Sequence, residues 1–485
     1  MTGYLQSLTF DYATFIILNL ILSTIVILLE RKNPTGALAW LFFLNLFPGF
    51  GFFFYILLAQ NISKRKIFIY TQEEAKLYQN FLKEQRRSIK SGEFVFNEEN
   101  TEKHKDMILF HNKLSGSIFS QNNEISIFTD GNKKFEALFK DINEATHHIH
   151  LLYYIVKHDD LGDRFLDLIE AKAKEGIEVR LLVDHIGSRS IQKKRIKQLK
   201  KSGVYFAFFF PSMFKYFNLK GNYRNHRKIA IIDGSIGYIG GYNIGDEYIG
   251  LSKKFGYWRD THLRIIGDSV FSLQLRFILD WRNASNMNLP MTSSYLRNHT
   301  TDSVGSVQIV DSGPDNINEQ IKQGYLQIIH QAKDYLYIQS PYFIPDESII
   351  EGLKIAAAKG VDVRIMIPNK PDHVFVYWAT YSYCGELLPY GVRIYTYENG
   401  FLHSKTIVSD DSISSVGTCN FDIRSFKLNF EINAFIYNVH ESTMLRNIFE
   451  SDINHCRELS LRRYNNRSLI IKGKEAISRL FSPVL

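Results

Sequence analysis

Cysteine is scarce in this chain, with three residues among 485, at Cys384, Cys419 and Cys456. The three share no spacing typical of a zinc site or a disulfide framework, which excludes the small disulfide-stabilised class and favours a reducing compartment. The chain is also longer than one hydrophobic core usually organises. We therefore expect several domains that fold without covalent crosslinks.

The N-terminus lacks the features of a cleaved signal peptide, since no basic segment precedes the first apolar run and no small-residue cleavage site follows it. Two apolar runs, residues 13–29 and 37–59, are separated by a short polar link. A spanning helix needs at least ~17 such residues. The pattern predicts a transmembrane helical hairpin in residues 1–60, in which Pro48 and Gly49 leave a kinked or re-entrant second arm open.

Basic residues set the predicted orientation of this hairpin. Seven Lys and Arg residues lie between residues 64 and 87, against two in the link between the arms. The positive-inside bias then places the bulk of the chain in the cytoplasm, as part of a multi-pass protein of the cell membrane. The net charge of +8 would face an anionic leaflet and hold the chain near its lipids.

Beyond a charged connector at residues 61–123, the chain repeats itself. Residues 173–183 return as residues 357–367, with Gly176 matching Gly360. In each copy an amphipathic helix ends at the Gly and a β-branched run follows, as in a helix C-cap that leads into a buried strand. The predicted fold class is α/β, with two tandem βα repeat domains at residues 124–300 and 301–485.

Each repeat contains one copy of the pattern H-x-K-x-x-x-x-D, followed after six residues by Gly and then Asn. Two copies with identical spacing in the same order are unlikely to arise by chance, and together they can meet at one phosphate. The two domains would thus share one active site. The residues are His226, Lys228, Asp233 and Asn243 in the first copy, and His403, Lys405, Asp410 and Asn420 in the second.

Strand alternation separates the roles of these residues. The His and Lys of each copy are two residues apart, so they project from the same face of a strand. Asp233 and Asp410 are each followed by turn-forming residues. We expect these two carboxylates to hydrogen-bond their own turn or to hold the halves together rather than to react directly, although they belong to the catalytic motif.

A metal site is the first alternative for any pair of histidines. Each His here has a Lys beside it, and an ammonium group suits a phosphate rather than a dication. The Lys and Asn side chains can supply the charge and donors that a phosphoryl transition state requires. We predict no metal and no cofactor. The cluster His147, His148 and His150 is interpreted as strand-edge histidines, because the second half offers only Asp334, Tyr335 and Tyr337 at that place.

The paired motifs resemble those of the phospholipase D superfamily, and over essentially its full length the chain is similar to bacterial cardiolipin synthases. Supporting segments lie at residues 30–34, 240–248, 257–261 and 420–431. Where the superfamily often has Ser after the motif Gly, this chain has Gly241 and Thr418. A backbone N–H could replace the lost hydroxyl donor in the first half.

The resemblance implies phosphatidyl transfer from one phosphatidylglycerol to another, giving cardiolipin and glycerol through a phosphohistidine intermediate. By analogy His226 is the nucleophile and His403 the acid and base, although the pseudo-symmetry leaves the reverse open. The implied partners are phosphatidylglycerol and anionic membrane lipids, not nucleic acid. Asp260 and Glu431, which each open an apolar strand, are candidates to orient the imidazoles, with ordinary salt bridges as the alternative.

Other functions use the same residues. A phospholipase D hydrolase would differ only in taking water as the acceptor. A phosphodiesterase or nuclease would suit a pI near 9.0, but the apolar hairpin argues against it. A catalytically dead scaffold is disfavoured because no motif residue is missing. The acceptor lipid, phosphatidylglycerol or phosphatidylethanolamine, the acyl preference and the oligomeric state stay open.

The first half contains an insertion that the second half lacks. Gly203 precedes His226 by 23 residues, whereas Gly391 precedes His403 by 12. The additional residues include the aromatic side chains Phe214, Tyr216 and Phe217 with interleaved lysines. Such a segment suits a lipid interface. The alternative is an internal cap over the first half.

Overall fold

A computed structural model describes residues 2–29, 34–47, 50–58, 67–210, 223–285, 287–296 and 301–482. The described residues form two compact units, one made of residues up to 58 and the other of residues from 67 onward. The aromatic insertion at residues 209–220 lies almost wholly outside the described residues, as does the polar link at residues 30–33.

The N-terminal unit is helical. It contains α1 (Thr2–Leu29), α2 (Pro34–Leu46) and α3 (Phe50–Leu58), so the second apolar arm is two helices rather than one. Backbone bonds continue into the bend, where the Phe47 N–H donates to the Phe43 carbonyl at 2.9 Å. Among the described helices, none has the length and apolarity that crossing a bilayer requires. The predicted transmembrane hairpin is therefore not confirmed.

The larger unit is α/β, as predicted. Its helices are α4 (Gln72–Ser91), α5 (Glu99–Lys103), α6 (Lys105–Leu114), α7 (Gly131–Glu144), α8 (Asp160–Lys174), α9 (Lys193–Lys201), α10 (Val270–Ser285), α11 (Gln320–Gln331), α12 (Glu347–Ala358), α13 (Val374–Leu387), α14 (Ile423–Lys427), α15 (Val439–Ile453), α16 (Leu461–Asn465) and α17 (Leu469–Leu480).

The strands of the first half are β1 (Phe119–Ser120), β2 (Asn123–Phe128), β3 (His148–Tyr153), β4 (Glu178–Asp184), β5 (Tyr205–Phe209), β6 (Arg224–Asn225), β7 (Ile229–Ile232), β8 (Ile236–Gly240), β9 (Trp258–Arg259) and β10 (His262–Gly267). Those of the second half are β11 (Val307–Ser312), β12 (Tyr335–Gln339), β13 (Phe343–Ile344), β14 (Asp362–Pro368), β15 (Arg393–Tyr397), β16 (Phe401–Leu402), β17 (Thr406–Ser409), β18 (Ile413–Gly417), β19 (Phe421–Asp422), β20 (Asn429–Ile436) and β21 (Cys456–Glu458).

The sequence repeat appears as two sheets of related order. The first runs β2-β10-β8-β7-β3-β4-β5, and the second runs β1-β11-β20-β18-β17-β12-β14-β15-β21. In both, three parallel strands (β3-β4-β5 and β12-β14-β15) continue into antiparallel ones. The predicted helix ends are confirmed, because Gly176 and Gly360 have φ of 92° and 93° just before β4 and β14. Only Gly adopts that conformation without strain.

The segment predicted as a connector is folded rather than loose. Helix α4 begins at a capping box formed by Thr71 and Glu74, and β1 pairs with β11 of the second sheet. Met107 and Ile108 of α6 are buried in the same apolar cluster as Ile338. The weak apolar periodicity of this segment reflects the shortness of α5 and α6, which each bury only a few side chains.

Two short parallel pairings join the halves next to the motifs. Strand β6, which ends one residue before His226, pairs with β20 of the second half. Strand β16, which ends one residue before His403, pairs with β9 of the first half. The fold thus brings each motif histidine to the boundary with the other half.

Candidate active site

His226 is fixed by groups of the second half. Its N–H donates to the Phe430 carbonyl at 2.9 Å, and its Nδ1 lies 3.1 Å from a carboxylate oxygen of Glu431. The Tyr154 ring packs edge-on against the imidazole at 4.8 Å between centroids. With Nδ1 engaged by the carboxylate, Nε2 is the nitrogen left for chemistry.

His403 has the mirrored arrangement. Its N–H donates to the Arg259 carbonyl at 2.7 Å, and its Nδ1 lies 2.6 Å from Oδ2 of Asp260, in the first half. The Trp258 ring lies 5.0 Å from the imidazole. Both predicted carboxylates therefore contact a motif histidine. The contacts cross between halves, which the sequence did not reveal.

The motif lysines are buried between these pairs. The Lys228 ammonium donates to the His226 carbonyl at 2.7 Å, and Lys405 donates to the His403 carbonyl. Burial lowers the pKa of Lys228 to about 7 and that of Lys405 to about 8, despite the opposing attraction of Glu431 and Asp260. Because burial disfavours the charged form of both lysines, a bound anion would stabilise their ammonium groups.

Burial also acts on the imidazoles. It lowers the pKa of His226 even though Glu431 favours the charged form, and it lowers the pKa of His403 to about 4 against the pull of Asp260. The charges of both lysines act on both histidines. The two motifs therefore form one electrostatic unit, as a shared site requires.

Asp233 and Asp410 occupy equivalent turns with φ of 54° and 53°. The Asp233 carboxylate accepts from the backbone N–H groups of Thr146, His147 and His148 at 2.8 to 3.0 Å. The Asp410 carboxylate accepts from Lys333, Asp334 and Tyr335 at 2.9 to 3.0 Å. The predicted turn positions are confirmed. Each carboxylate, however, accepts hydrogen bonds from the backbone at the start of a neighbouring strand, β3 or β12, and not from its own turn.

We expect Asp233→Ala to lower the free energy of unfolding by about 2 to 3 kcal/mol, because three backbone donors lose their acceptor. Asp233→Asn keeps one acceptor oxygen and tolerates the positive φ, so it should lose less. Thermal unfolding and kcat, measured together, test this. If Asp233→Ala lost activity while its thermal midpoint was unchanged, Asp233 would have a direct role in catalysis.

The two asparagines of the motifs make contacts within the protein. Asn243 accepts from the Ile155 N–H at 3.1 Å and donates to the Tyr248 hydroxyl at 3.2 Å. Asn420 donates to the Ser425 hydroxyl at 3.2 Å. Its buried Oδ1 has no partner within the described chain. Phosphate contacts by these amides stay a prediction.

Gly241 is explained by close packing. A Cβ at this position would lie 1.9 Å from Oδ1 of Asp260, the carboxylate that holds His403. In the second half, Thr418 occupies the matching position, and its hydroxyl accepts from the Ile432 N–H at 2.9 Å. The first half thus lacks a hydroxyl because the orienting carboxylate fills that space.

Sequence reasoning missed Arg227, which lies between the motif His and Lys. Its buried guanidinium donates to the Glu431 carbonyl at 3.1 Å and pairs with Asp280 at 2.9 Å and Asp311 at 3.2 Å. Asp280 is in the first half and Asp311 in the second. Arg227 therefore links the halves beside the site. The sequence could have indicated this role. A residue between the motif His and Lys of a strand projects from the opposite face, where a buried Arg needs acidic partners.

Within the described ranges, no group of three or more His, Cys, Asp or Glu side chains could hold a metal ion. The cluster near β3 has another role. His148 and His150 are buried, and each has a ring nitrogen 3.2 Å from the side-chain amide oxygen Oε1 of Gln274. Burial lowers the pKa of His148 to about 3. Both lie on β3, which is flanked by β7 and β4, so they are buried strand residues rather than the predicted strand-edge histidines.

Comparison with known proteins identifies relatives across the whole chain. A family model described as "Cardiolipin synthase, PLD-like domain" matches residues 138–254 and 325–453. A second, described as "Phospholipase_D-nuclease N-terminal", matches residues 17–60. A cardiolipin synthase from Oceanobacillus iheyensis is 50% identical over 485 residues, covering 100% of both chains. The major cardiolipin synthase of Bacillus subtilis is 48% identical over 476 residues, covering 97% of this chain and 98% of that protein.

Among solved structures, the fold is similar to that of phosphatidylserine synthase from Haemophilus influenzae. The TM-score is 0.60 at 15% identity, covering 77% of this chain and 99% of that one. At this identity the likeness concerns the fold alone. It agrees with the two-sheet α/β arrangement described above.

Proposed function

The chain belongs to the family of cardiolipin synthases with phospholipase D-like domains, and we propose from this premise that it transfers a phosphatidyl group from one phosphatidylglycerol to another, giving cardiolipin and glycerol. The observation that carries the proposal is the crossed pair of carboxylate-held histidines, His226 with Glu431 and His403 with Asp260. Two oriented imidazoles, each beside a lysine, supply what a two-step displacement at phosphorus needs.

In the first step, Nε2 of His226 attacks the phosphorus of one phosphatidylglycerol. The bond from phosphorus to the glycerol oxygen breaks, and His403 donates a proton to that oxygen. In the second step, His403 takes the proton from a hydroxyl of another phosphatidylglycerol, whose oxygen attacks phosphorus and displaces His226. One phosphodiester is exchanged for another, so no nucleotide is consumed.

The lysines and carboxylates have complementary roles in this scheme. Lys228 and Lys405 balance the phosphate charge, and Glu431 and Asp260 stabilise the imidazolium of the histidine that each contacts. A bound phosphodiester anion raises the pKa of His403, because opposite charge favours the protonated ring. Substrate binding would thereby charge the acid that releases glycerol.

The lowered lysine pKa values predict an alkaline limb in the pH profile. We expect kcat/KM for a water-soluble short-chain substrate to fall as pH rises through about 7 to about 8, where Lys228 and Lys405 lose their protons in the free enzyme. A buffer series from pH 5 to pH 10 measures it. A profile that stays flat to pH 10 would show that the lysines keep their charge despite burial.

Product analysis tests the proposed reaction. Purified protein is incubated with labelled phosphatidylglycerol vesicles in excess chelator, and we expect cardiolipin and glycerol in equal amounts because the lysine and asparagine side chains supply the charge and donors. Phosphatidic acid as the dominant product would make the protein a phospholipase D hydrolase. Complete loss of activity with chelator would contradict the metal-free mechanism.

The roles of the individual site residues are part of this proposal. His226, Lys228, His403 and Lys405 act on the phosphate, and Asn243 and Asn420 complete its binding site once substrate reorders their amides. If the Asn420 amide turns its N–H groups toward the phosphate, its Oδ1, which has no partner within the described chain, can accept from the Ser425 hydroxyl instead. Asp233 and Asp410 act through the backbone that they hold.

We further propose that residues 1–60 hold the chain at the cell membrane with the catalytic residues in the cytoplasm, and that residues 61–123, 124–300 and 301–485 are the connector and the two catalytic domains. Apolar side chains of α1 support membrane contact, since Leu20 is 62% exposed and Leu28 is 67% exposed. The short helices α2 and α3 suit a re-entrant second arm better than a straight span.

A further inference from the structure

The C-terminal helix α17 turns its apolar side chains outward. Leu469, Ile470, Ile477 and Leu480 are 83%, 72%, 55% and 80% exposed. The side chains that this helix buries are Glu475 and Ser478. A helix that packs on a protein in water normally has the opposite orientation. The outward face is therefore suited to a non-aqueous environment.

Specific contacts fix this inverted orientation. Glu475 accepts from Arg467 at 2.7 Å and lies 3.3 Å from the Tyr464 hydroxyl. Arg479 pairs with Glu386 of α13. Tyr464 occupies the space beside Gly385 of α13, where a Cβ would lie 1.8 Å from its ring. Rotating α17 to bury its apolar face would break these polar contacts and leave the carboxylate of Glu475 without its partners.

The exposed apolar surface continues onto the start of α13. Phe375 is 53% exposed, and its ring lies 5.7 Å from that of Phe481. A contiguous apolar surface of this kind marks an interaction site. The apolar patch consists of Val374, Phe375, Leu469, Ile470, Ile477, Leu480 and Phe481.

Positive charge surrounds the apolar patch. Residues 461–482 contain six basic residues and one acidic residue, and that acid is the buried Glu475. Next to the patch is a groove of about 670 Å³ lined by tyrosine, tryptophan and arginine side chains, among them Trp378 and Arg463. Among residues 461–482, the side chains of Arg462, Arg463, Lys472 and Lys474 are exposed and make no ion pair with another described residue. An anionic partner is favoured.

The apolar patch begins close to the active site. Asp372, two residues before α13, accepts from the Tyr342 hydroxyl, and its charge acts on Lys405. Phe343, next to Tyr342, lies on β13, which pairs with β19 directly after Asn420. The start of α13, which contributes Val374 and Phe375 to the patch, therefore lies near Lys405 of the second motif.

We propose that the apolar patch and its cations form a second membrane-contact surface, which lies in the headgroup region of a bilayer that contains anionic phospholipid. The apolar side chains enter the acyl boundary, and the Arg and Lys side chains contact phosphates. This contact holds the catalytic residues close to lipid, separately from any anchoring by residues 1–60. This second surface is a proposal separate from the transfer reaction, because contact with a membrane can be measured without measuring turnover.

Site-specific labelling of the full chain tests the proposal. Ile477→Cys, in a Cys456→Ser background, carries an environment-sensitive dye, and the protein is reconstituted into nanodiscs of phosphatidylcholine alone or with phosphatidylglycerol. We expect a blue shift and quenching by spin-labelled lipid that grow with the phosphatidylglycerol fraction. The matched control is Leu77→Cys on α4, which is 71% exposed and should respond to neither.

Two outcomes would overturn the proposal. One is a dye at residue 477 that stays as water-accessible as the dye at residue 77 in phosphatidylglycerol nanodiscs. The other is a blue shift in detergent that needs no lipid and grows with protein concentration, which would make the patch a contact between copies of the chain. Because neither readout uses cardiolipin formation, failure of the transferase proposal would be seen separately.

Turnover gives an independent test. A triple variant with Ser at positions 470, 477 and 480 should keep its thermal midpoint, because these side chains are exposed, and lose about tenfold in turnover on bilayers. Turnover of a water-soluble short-chain substrate should be unchanged. The control carries Ser in place of Leu77, Val95 and Ile355, which are also exposed. Equal losses on both substrates, or in both variants, would contradict a membrane role.

Discussion

His226→Ala should abolish the phosphatidyl-enzyme and reduce turnover by roughly 10⁵- to 10⁶-fold, the scale seen when a covalent nucleophile is removed. His403→Ala should lose only general acid and base help, roughly 10²- to 10⁴-fold. With an activated leaving group such as p-nitrophenol, His403→Ala should still form the adduct and accumulate it. Expulsion of p-nitrophenol needs no proton, whereas transfer of the phosphatidyl group from His226 to a lipid hydroxyl needs a base. Acid quench and mass spectrometry of the adduct measure both.

The two histidines have nearly equivalent surroundings, so the experiment must be able to reverse the assignment. A phosphatidyl adduct trapped on His403 of the wild-type protein would do so. His158→Ala is a suitable control, since His158 is an exposed histidine that pairs with Asp163. It should keep wild-type turnover and adduct formation.

The crossed carboxylates give the second large effect. Glu431→Gln should slow turnover by about 10³- to 10⁴-fold, the range found when the carboxylate behind a catalytic histidine becomes an amide. An amide can donate to Nδ1 and so favour the tautomer in which Nε2 carries the proton and cannot attack. We expect the loss in adduct formation with every leaving group, because Glu431 contacts His226.

Asp260→Asn is the comparison that separates the roles of the two carboxylates. Asp260 contacts His403, so its replacement should slow release of glycerol but leave adduct formation with p-nitrophenol nearly unchanged. Glu170→Gln, at another buried glutamate that pairs with Arg195, controls for burial alone and should be close to wild type. If an activated leaving group changed the rate of adduct formation equally in Glu431→Gln and Asp260→Asn, the assignment of His226 as nucleophile and His403 as acid and base would be wrong.

Much of the fold was predictable because the chain repeats itself. The matched helix, Gly and strand of each copy predicted the α/β class and the tandem arrangement, since period and C-cap chemistry are local properties. The His and Lys pairs, and the turn positions of Asp233 and Asp410, were predictable for the same reason. The roles of the motif residues still rest on the experiments above.

What the sequence could not supply was contact between distant residues. Glu431 lies 205 positions from His226, and Asp260 lies 143 positions from His403. Either carboxylate could equally have paired within its own half. The break of the second apolar arm into α2 and α3 and the outward apolar face of α17 also depend on packing. Composition alone indicates only that these segments are apolar.

The crossing of Glu431 and Asp260 has a consequence for how activity arises during synthesis. A ribosome that has released the first motif has not yet made Glu431, so the nascent chain has an imidazole without its orienting group and without a second motif. Folding of the last third of the protein then completes both histidines together. A nascent chain that has not yet reached Glu431 would therefore be unable to cleave the phosphodiesters of nearby membrane lipids.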